Sequence, residues 1–240
     1  MAKHIKKRFA LRTQRGERSE HSYILGYVSI YMSNQIKHII FDLSEVLITG
    51  IKDTGIALRE KHQLEIAGPK MDWAQEKHPL LTPLVKEFFH GTVSEDDYVN
   101  DVVKTYPQIG DAPWLKRHIR ENFVEVEGTR DIVIRLSKLG YKLSILSNHS
   151  KEWLDHCEEK FNFHELFDTR VYSYEIGASK PDPRAYKAVL TQLKTTPDKC
   201  LFIDDSDINT GAAEALGFRT IVFTTANALE TQLSQILPDF

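Results

Sequence analysis

Short apolar runs alternate with segments of helical apolar spacing through the second half of this 240-residue chain. The runs that predict strands cover residues 36–41, 142–146, 169–173, 200–203 and 220–223. Helical patterns lie between and after the later runs, at 129–139, 151–160, 182–193, 208–216 and 228–236. Strands that alternate with helices form a parallel sheet that is covered on both faces. The predicted fold class is therefore α/β, with a doubly wound parallel sheet.

Residues 50–126 have a different pattern from the rest of the chain. Their apolar residues follow helical spacing, several prolines interrupt them, and no convincing strand is predicted. We expect them to form an inserted α-helical subdomain. The α/β core then comprises residues 36–49 and 127–240.

The first 35 residues form a basic N-terminal extension. Residues 1–31 hold seven Lys or Arg and only two Glu. The apolar run at 23–28 is too short to span a membrane, and no small-residue cleavage site follows it. We expect this extension to lack ordered structure, and Met32 to be a candidate for the true start.

Composition indicates the kind of partner and compartment. The formal net charge of −3 gives no signal for nucleic acid or for a membrane surface. The two cysteines, Cys157 and Cys200, lie far apart in a long chain, which does not suggest a disulfide framework. We therefore expect a cytoplasmic protein whose partner is a small molecule.

Polar side chains that can take part in catalysis or metal binding follow several of the apolar runs. Asp42 ends the first run, Ser147-Asn148 ends the second, and Asp204-Asp205 follows a later one. Lys180 begins a Lys-Pro-Asp-Pro segment. The carboxyl ends of parallel strands meet at one edge of a sheet, so Asp42, Ser147 and Asp204-Asp205 can share one crevice. A carboxylate, a hydroxyl, an ammonium and an acid pair are what phosphoryl transfer through an aspartyl-phosphate needs.

Each residue also has a plainer explanation. Ser147 can cap the following helix, and Lys180 can be a solvated surface lysine. Adjacent acids such as Asp204-Asp205 repel each other unless a cation or a proton lies between them. Because Mg²⁺ prefers a few carboxylates together with water and phosphate oxygens, the pair indicates a magnesium site rather than a solvated loop.

Four motifs in this order resemble those of the haloacid dehalogenase-like hydrolase superfamily. They are Phe41–Leu47, Leu143–Asn148, Ser179–Tyr186 and Phe202–Asn209. The resemblance covers residues 36–240. It implies a Rossmann-like core, an α-helical cap formed by residues 50–126, and a Mg²⁺-dependent phosphatase acting on a small phosphorylated metabolite.

The resemblance also implies roles for individual residues. Asp42 is the expected nucleophile, and Lys180 is the expected catalytic cation. The expected phosphate-binding residues are Ser147, Asn148 and Lys180. The expected metal ligands are Asp42, the backbone carbonyl of Ser44, Asp205 directly, and Asp204 closely or through water.

Ser44 departs from the family pattern. Members usually carry a second Asp there, which protonates the leaving alcohol and then activates water; a Ser cannot do this unaided. Three interpretations follow. The first is a phosphatase limited to good leaving groups, such as sugar 1-phosphates or aryl and acyl phosphates. The second is a 2-haloacid dehalogenase, which also lacks this Asp but typically carries Ser in place of Asp204-Asp205. The third is a catalytically weak regulatory protein that binds phosphate esters.

Other residues near the motifs receive no firm role. Glu45 could replace the missing acid, but in an extended segment its side chain should point away from the site. Trp73, His78 and His90 lie in the predicted cap and could face the site, and His149 could line the pocket. None is assigned a function.

Overall fold

A five-stranded parallel sheet forms the centre of the computed structural model, which describes residues 36–66 and 77–240. The strands, in chain order, are β1 (His38–Phe41), β2 (Ile48–Thr49), β3 (Val124–Glu125), β4 (Lys142–Ser147), β5 (Thr169–Tyr172), β6 (Cys200–Asp204) and β7 (Arg219–Val222). The main sheet has the order β5-β4-β1-β6-β7, and every pair in it is parallel. The predicted doubly wound α/β fold is confirmed. The expectations for residues 1–35 and for Trp73 lie outside the described residues.

Ten α-helices accompany these strands in the described ranges. They are α1 (Ile51–His62), α2 (Val85–Phe89), α3 (Glu95–Thr105), α4 (Ala112–Glu121), α5 (Thr129–Lys138), α6 (Lys151–Phe161), α7 (Ser173–Ile176), α8 (Pro183–Leu193), α9 (Asp207–Ala215) and α10 (Ala226–Ile236). The predicted core helices and strands agree with these bounds to within about two residues at most ends. The one-turn helix α7 was not predicted. The division into core and cap stays a prediction.

Apolar residues on alternate positions of the strands cover both faces of the sheet. Ile39 and Phe41 of β1 belong to one hydrophobic cluster, whereas Ile40 belongs to a second. The same alternation divides Ile203 from Phe202 in β6. Because side chains on a strand point to opposite faces in turn, each cluster lies on one face, as a doubly wound sheet requires.

The strand order places a crevice above β1. The chain runs from β4 to β5 on one side of β1 and then crosses to β6 and β7 on the other side. Ligands of open parallel sheets bind at such a switch point, outside the carboxyl ends of the strands. Phe41 pairs with both Ile145 and Ile203, so the residues that follow these three strands emerge side by side.

The inserted segment leaves and returns through a small antiparallel sheet. Ile48 and Thr49 of β2 pair with Glu125 and Val124 of β3. The prediction that residues 50–126 contain no strand is wrong at β3, because this pairing is between residues far apart in the sequence and has no local pattern. It brings both ends of the segment to one point beside the crevice.

The described residues allow two sequence-based expectations to be examined, one about membrane-spanning segments and one about the cysteines. No helix in residues 36–66 and 77–240 is long and apolar enough to cross a membrane. Cys157 and Cys200 are both buried as free thiols. Cys200 begins β6 and packs in the core, so packing explains it.

We predict that Gly50 is required at this junction. It has φ of 129°, and a Cβ there would lie 2.2 Å from the carbonyl oxygen of Asn122. Gly50→Ala should therefore lower the free energy of unfolding by about 1–3 kcal/mol, measured by urea denaturation.

Gly211→Ala is the matched control. Gly211 lies within α9, and a Cβ there would meet nothing within 4 Å. Its replacement by Ala should stabilise the protein by roughly 0.5–1 kcal/mol, because Ala suits a helix interior better. Equal effects of the two substitutions would contradict the proposed constraint at Gly50.

Candidate active site

The ammonium of Lys180 is buried between two carboxylates at the carboxyl end of the sheet. Its Nζ lies 2.8 Å from Oδ1 of Asp42 and 2.6 Å from Oδ2 of Asp204. Lys180 is 1% exposed and Asp204 is fully buried. Burial alone would lower the pKa of Lys180, but Asp204 and Asp42 outweigh it and raise the pKa. The lysine is therefore a fixed cation and not a solvated surface residue.

Asn148 holds the loop that carries Lys180. Its side-chain Oδ1 accepts from the Lys180 N–H at 2.8 Å, and its Nδ2 donates to the Lys180 carbonyl at 2.9 Å. The Lys180-Pro181 peptide bond is cis, and Asp182 caps the following helix α8. The amide of Asn148 therefore supports the position of Lys180. Its predicted contact with phosphate stays a prediction.

Asp204 and Asp205 differ in their surroundings. Oδ1 of Asp204 accepts from the Ser206 N–H at 2.9 Å and from Nδ2 of Asn209 at 3.0 Å, in addition to the contact of Oδ2 with Lys180. Asp205 is only partly buried and lines the open crevice. Because the protein already satisfies much of Asp204, Asp205 is the more available ligand of the two.

Three carboxylates converge here without a compensating cation for each. Ligand oxygens of Asp42, Asp204 and Asp205 all lie within 4.8 Å of one another. Burial, followed by the charges of Asp42 and Asp204, raises the pKa of Asp205 to about 7. Burial also raises the pKa of Asp42 to about 6, although Lys180 opposes the shift. An all-oxygen set with this much unrelieved negative charge suits a hard cation such as Mg²⁺.

Ser147 lies beside Asp42, and the interaction of its hydroxyl with that carboxylate lowers the pKa of Asp42. Its Oγ is buried and makes no other hydrogen bond among the described residues. The alternative that it caps the next helix is wrong, because Ser150 caps α6 by accepting from the Trp153 N–H. A buried hydroxyl next to the candidate nucleophile can donate to a phosphate oxygen.

Glu45 does not lie where the sequence indicated. The segment after Asp42 turns sharply, Glu45 adopts a left-handed conformation with φ of 60°, and its side chain lines the crevice. The expectation of an extended segment with Glu45 pointing away is wrong. Its Oε2 accepts from the Thr49 hydroxyl at 2.7 Å, and burial raises the pKa of this carboxyl. No local pattern predicts this turn, since positive φ is uncommon for residues other than Gly, Asn and Asp.

A cavity of about 150 Å³ lies over these groups. Asp42, Lys180 and Asp205 line its floor together with Ser44 and Asn148. Residues of the inserted segment line its wall. His78 lines it, whereas His149 is buried among Phe89, Phe123 and Trp153. His90 is instead hydrogen-bonded to Ser179, through Nε2 and Oγ at 2.8 Å.

Sequence reasoning missed several residues that line this cavity. They are Ile51, Lys52, Leu80, Leu81, Val85, Tyr98 and Trp153. They come from five separate segments, and each has an ordinary helical or loop context. Only the tertiary fold brings them together, so no local pattern marks them.

The comparisons with known proteins agree with this fold and site. A family model described as haloacid dehalogenase-like hydrolase matches residues 39–223. The match covers well over half of the chain, so this protein belongs to the haloacid dehalogenase-like hydrolase family. The resemblance of the four motifs to that family is confirmed.

Individual relatives are distant. The chain is 25% identical over 160 residues to flavin mononucleotide hydrolase 1 of Arabidopsis thaliana. The aligned region is 67% of this chain and 63% of that protein. It is 25% identical over 201 residues to D-ribitol-5-phosphate phosphatase of Bacteroides thetaiotaomicron. This aligned region is 77% of this chain and 90% of that protein. The chain spans less than two thirds of the length of the first curated relatives that it matches.

A solved structure shares the fold. It is a mutant enzyme of the same family from Bacteroides thetaiotaomicron, in complex with magnesium and inorganic phosphate. The TM-score is 0.64 at 20% sequence identity, and the match covers 79% of this chain and 95% of that chain. At this identity the likeness shows the fold alone.

We predict that removal of the Lys180 charge strongly destabilises the protein. Lys180→Met leaves the buried carboxylates of Asp42 and Asp204 without their cation, and breaking a buried ion pair costs about 3–5 kcal/mol. Urea denaturation without added divalent metal measures this loss.

Lys151→Met is the control for the same chemical change at the surface. Lys151 pairs with Asp155 four residues later, and both side chains are largely exposed. Its replacement should leave the denaturation midpoint unchanged within error. A loss for Lys180→Met no larger than that of the control would contradict the buried ion-pair arrangement.

Proposed function

We propose that this protein is a Mg²⁺-dependent phosphatase that hydrolyses a small phosphorylated molecule through an aspartyl-phosphate on Asp42. One observation carries the proposal. The Lys180 ammonium bridges Asp42 and Asp204, and Asp205 lies close enough to complete a three-carboxylate cluster. A nucleophile, a fixed cation and a cation site at the switch point of a parallel sheet suit phosphoryl transfer.

The hydrogen bonds of Asp42 favour one of its two oxygens as the attacking atom. The Leu43 N–H donates to Oδ1 at 2.7 Å, and Lys180 contacts the same oxygen. Oδ2 is then the oxygen that forms the bond to phosphorus, while the bond between phosphorus and the leaving oxygen breaks. Water then attacks phosphorus, the bond between phosphorus and Oδ2 breaks, and inorganic phosphate leaves with the Asp42 carboxylate restored.

The surrounding groups stabilise the transferred phosphoryl group. Lys180 places positive charge beside the attacking carboxylate, and the buried Ser147 hydroxyl can donate to a phosphoryl oxygen. Asp42, Asp205, the Ser44 backbone carbonyl and, less directly, Asp204 would hold Mg²⁺. When bound, the ion neutralises charge on the phosphoryl oxygens and on the carboxylates.

The absence of an acid at position 44 limits the substrates. Ser44 lines the cavity but cannot protonate a leaving alkoxide or deprotonate water at neutral pH. Glu45 is nearby, but its carboxylate is engaged by the Thr49 hydroxyl. We therefore infer that the substrate has a good leaving group, among which sugar 1-phosphates, aryl phosphates and acyl phosphates qualify.

The size of the cavity supports a small-molecule substrate, and the cysteines support a cytoplasmic location. About 150 Å³ of space bounded by the inserted segment does not admit a folded protein. A cytoplasmic location agrees with the buried free thiols of Cys157 and Cys200.

Two other functions follow from the same site. A 2-haloacid dehalogenase would also use Asp42 as the nucleophile, but the convergent Asp204 and Asp205 favour a site that contains a metal. A phosphate-binding regulator is favoured only by Ser44. Halide release without metal supports the first alternative, and phosphate-ester binding without turnover supports the second.

Hydrolysis of p-nitrophenyl phosphate tests the proposed function. Its leaving group needs little protonation, so turnover depends on Asp42 and the metal and places little demand on residue 44. We expect Mg²⁺-dependent release of nitrophenol that a chelator stops and that Asp42→Asn reduces to background.

Asp207→Asn is the matched control. Asp207 is exposed at the start of α9, two residues from Asp205, and its loss should leave turnover unchanged. Turnover that persists in Asp42→Asn, or that a chelator does not affect, would contradict the proposal.

We predict that Ser44→Asp restores activity on poor leaving groups. A carboxyl group there would supply the missing acid and base, and such groups contribute about 10²- to 10⁴-fold in rate. The ratio of alkyl to aryl phosphate turnover should therefore rise by at least about tenfold. Ser44→Asn, which has a similar size but no titratable proton, should leave the ratio unchanged. The same change in both variants would exclude acid–base chemistry as the cause.

A further inference from the structure

The wall of the cavity opposite the carboxylates is mainly apolar, with Lys52 and His78 as its polar members. The floor carries charged and amide groups, whereas the described residues of the wall are mainly aliphatic or aromatic. Its apolar members are Ile51, Leu80, Leu81, Val85, Phe89, Tyr98 and Trp153. The part of a substrate that lies beyond the phosphoryl group therefore meets hydrocarbon.

The two aromatic residues with polar atoms use those atoms elsewhere. The Tyr98 hydroxyl donates to the Leu80 carbonyl at 2.5 Å. The Trp153 indole N–H donates to Oε1 of Glu95 at 2.9 Å, and Arg120 pairs with the same carboxylate. Tyr98 and Trp153 consequently offer the cavity apolar ring surface and no hydrogen bonds.

His78 is the buried one of the two polar residues on this wall; the other, Lys52, is partly exposed. His78 is 4% exposed, and its buried Nδ1 has no hydrogen-bond partner among residues 36–66 and 77–240. A Cβ on Gly55 would lie 2.1 Å from this Nδ1, so the ring packs directly on α1 at a position that only glycine permits. The opposite edge of the ring, with Nε2, is then the edge available to a ligand. Burial, with smaller contributions from Arg59 and Lys52, lowers the pKa of His78 to about 4, so the imidazole is neutral.

The volume limits the leaving group to about one ring. A closed apolar cavity of about 150 Å³ in a protein core binds benzene. The cavity here has about the same volume. A single aromatic ring fits in this space, whereas a longer group would extend out of the cavity.

We propose that the preferred substrate is an aryl phosphate monoester with a single ring. The ring lies against Phe89, Tyr98 and Trp153, and His78 accepts or donates one hydrogen bond at a polar substituent of the ring. This proposal rests on the proposed phosphatase function and narrows the three substrate classes that Ser44 leaves open.

The chemistry at position 44 supports the same class independently. A phenol has a pKa of about 10, as the side chain of Tyr illustrates. An aliphatic alcohol is far less acidic, close to water at about 16. A phenolate therefore leaves without the proton that Ser44 cannot supply. A sugar would in addition lose its hydrogen bonds to water on entering the apolar wall, with few partners in return.

Binding of phosphonates tests the substrate class without turnover. Phenylphosphonate and methylphosphonate have a P–C bond that a phosphatase does not hydrolyse, and calorimetry with Mg²⁺ gives their dissociation constants. Inorganic phosphate serves as the reference ligand. We expect phenylphosphonate to bind roughly 10- to 100-fold more tightly than methylphosphonate, because it buries a ring.

Leu81→Asn and Leu84→Asn form a matched pair of variants. Both leucines are partly buried and lie three residues apart, but only Leu81 lines the cavity. Leu81→Asn should reduce the preference for phenylphosphonate to less than about threefold. Leu84→Asn should retain it, and both variants should bind inorganic phosphate as the original protein does.

A hydroxyl on the ring tests the role of His78. We expect 3-hydroxyphenylphosphonate or 4-hydroxyphenylphosphonate to bind several-fold more tightly than phenylphosphonate, since the hydroxyl pairs with the buried imidazole. His78→Leu should remove this gain and preserve the binding of phenylphosphonate. A gain that persists in His78→Leu, or no gain for either isomer, would overturn the role of His78.

The outcomes separate the substrate class from the function itself. Equal affinity for phenylphosphonate and methylphosphonate, with intact Mg²⁺-dependent binding of phosphate, would overturn the aryl class and leave the phosphatase standing. Loss of Mg²⁺-dependent binding for all three ligands would instead overturn the proposed phosphatase. A preference for the phenyl group that Leu81→Asn alone removes would support both.

Discussion

The buried ammonium of Lys180 is the interaction on which the site depends. It lies between Asp42 and Asp204, which come from the two neighbouring strands β1 and β6. Without a cation these carboxylates would repel each other in a region with little water to screen them. Lys180 compensates part of this charge, and the remaining negative charge, to which Asp205 contributes, would attract the second cation that we propose. The same lysine thus stabilises the fold and prepares the site for an anionic substrate.

The position of Lys180 depends on contacts that extend into the core and the inserted segment. Asn148, just after β4, hydrogen-bonds the Lys180 backbone. Ser179, which precedes Lys180, is hydrogen-bonded to His90 of the inserted segment. Glu95 of the same segment holds the Trp153 ring at the cavity. The polar floor and the apolar wall are therefore parts of one connected arrangement. Chemistry at the floor and selection at the wall both favour a leaving group that is stable as an anion and tolerates an apolar environment.

The sequence predicted the sheet because strand-forming runs and helical spacing are local signals with clear periods. It also predicted Asp42, Ser147 and Asp205 at one edge, since parallel strands present their carboxyl ends together. It failed where the cause is not local. The left-handed turn at Glu45, the pairing of β3 with β2 and the unexpected short helix α7 have no periodic signal. The aromatic wall is assembled from separate segments, so only the tertiary structure reveals it.

Direct detection of phosphorylated Asp42 is the most decisive measurement. The protein would be mixed with p-nitrophenyl phosphate and Mg²⁺, quenched in acid during turnover, and digested for mass spectrometry. The peptide that contains Asp42 should carry one phosphoryl group, and the population should be large because Ser44 cannot activate water to remove it. The same peptide from Asp42→Asn should carry none. Phosphate release with no phosphorylation at Asp42, or with phosphorylation at another residue, would contradict the central claim.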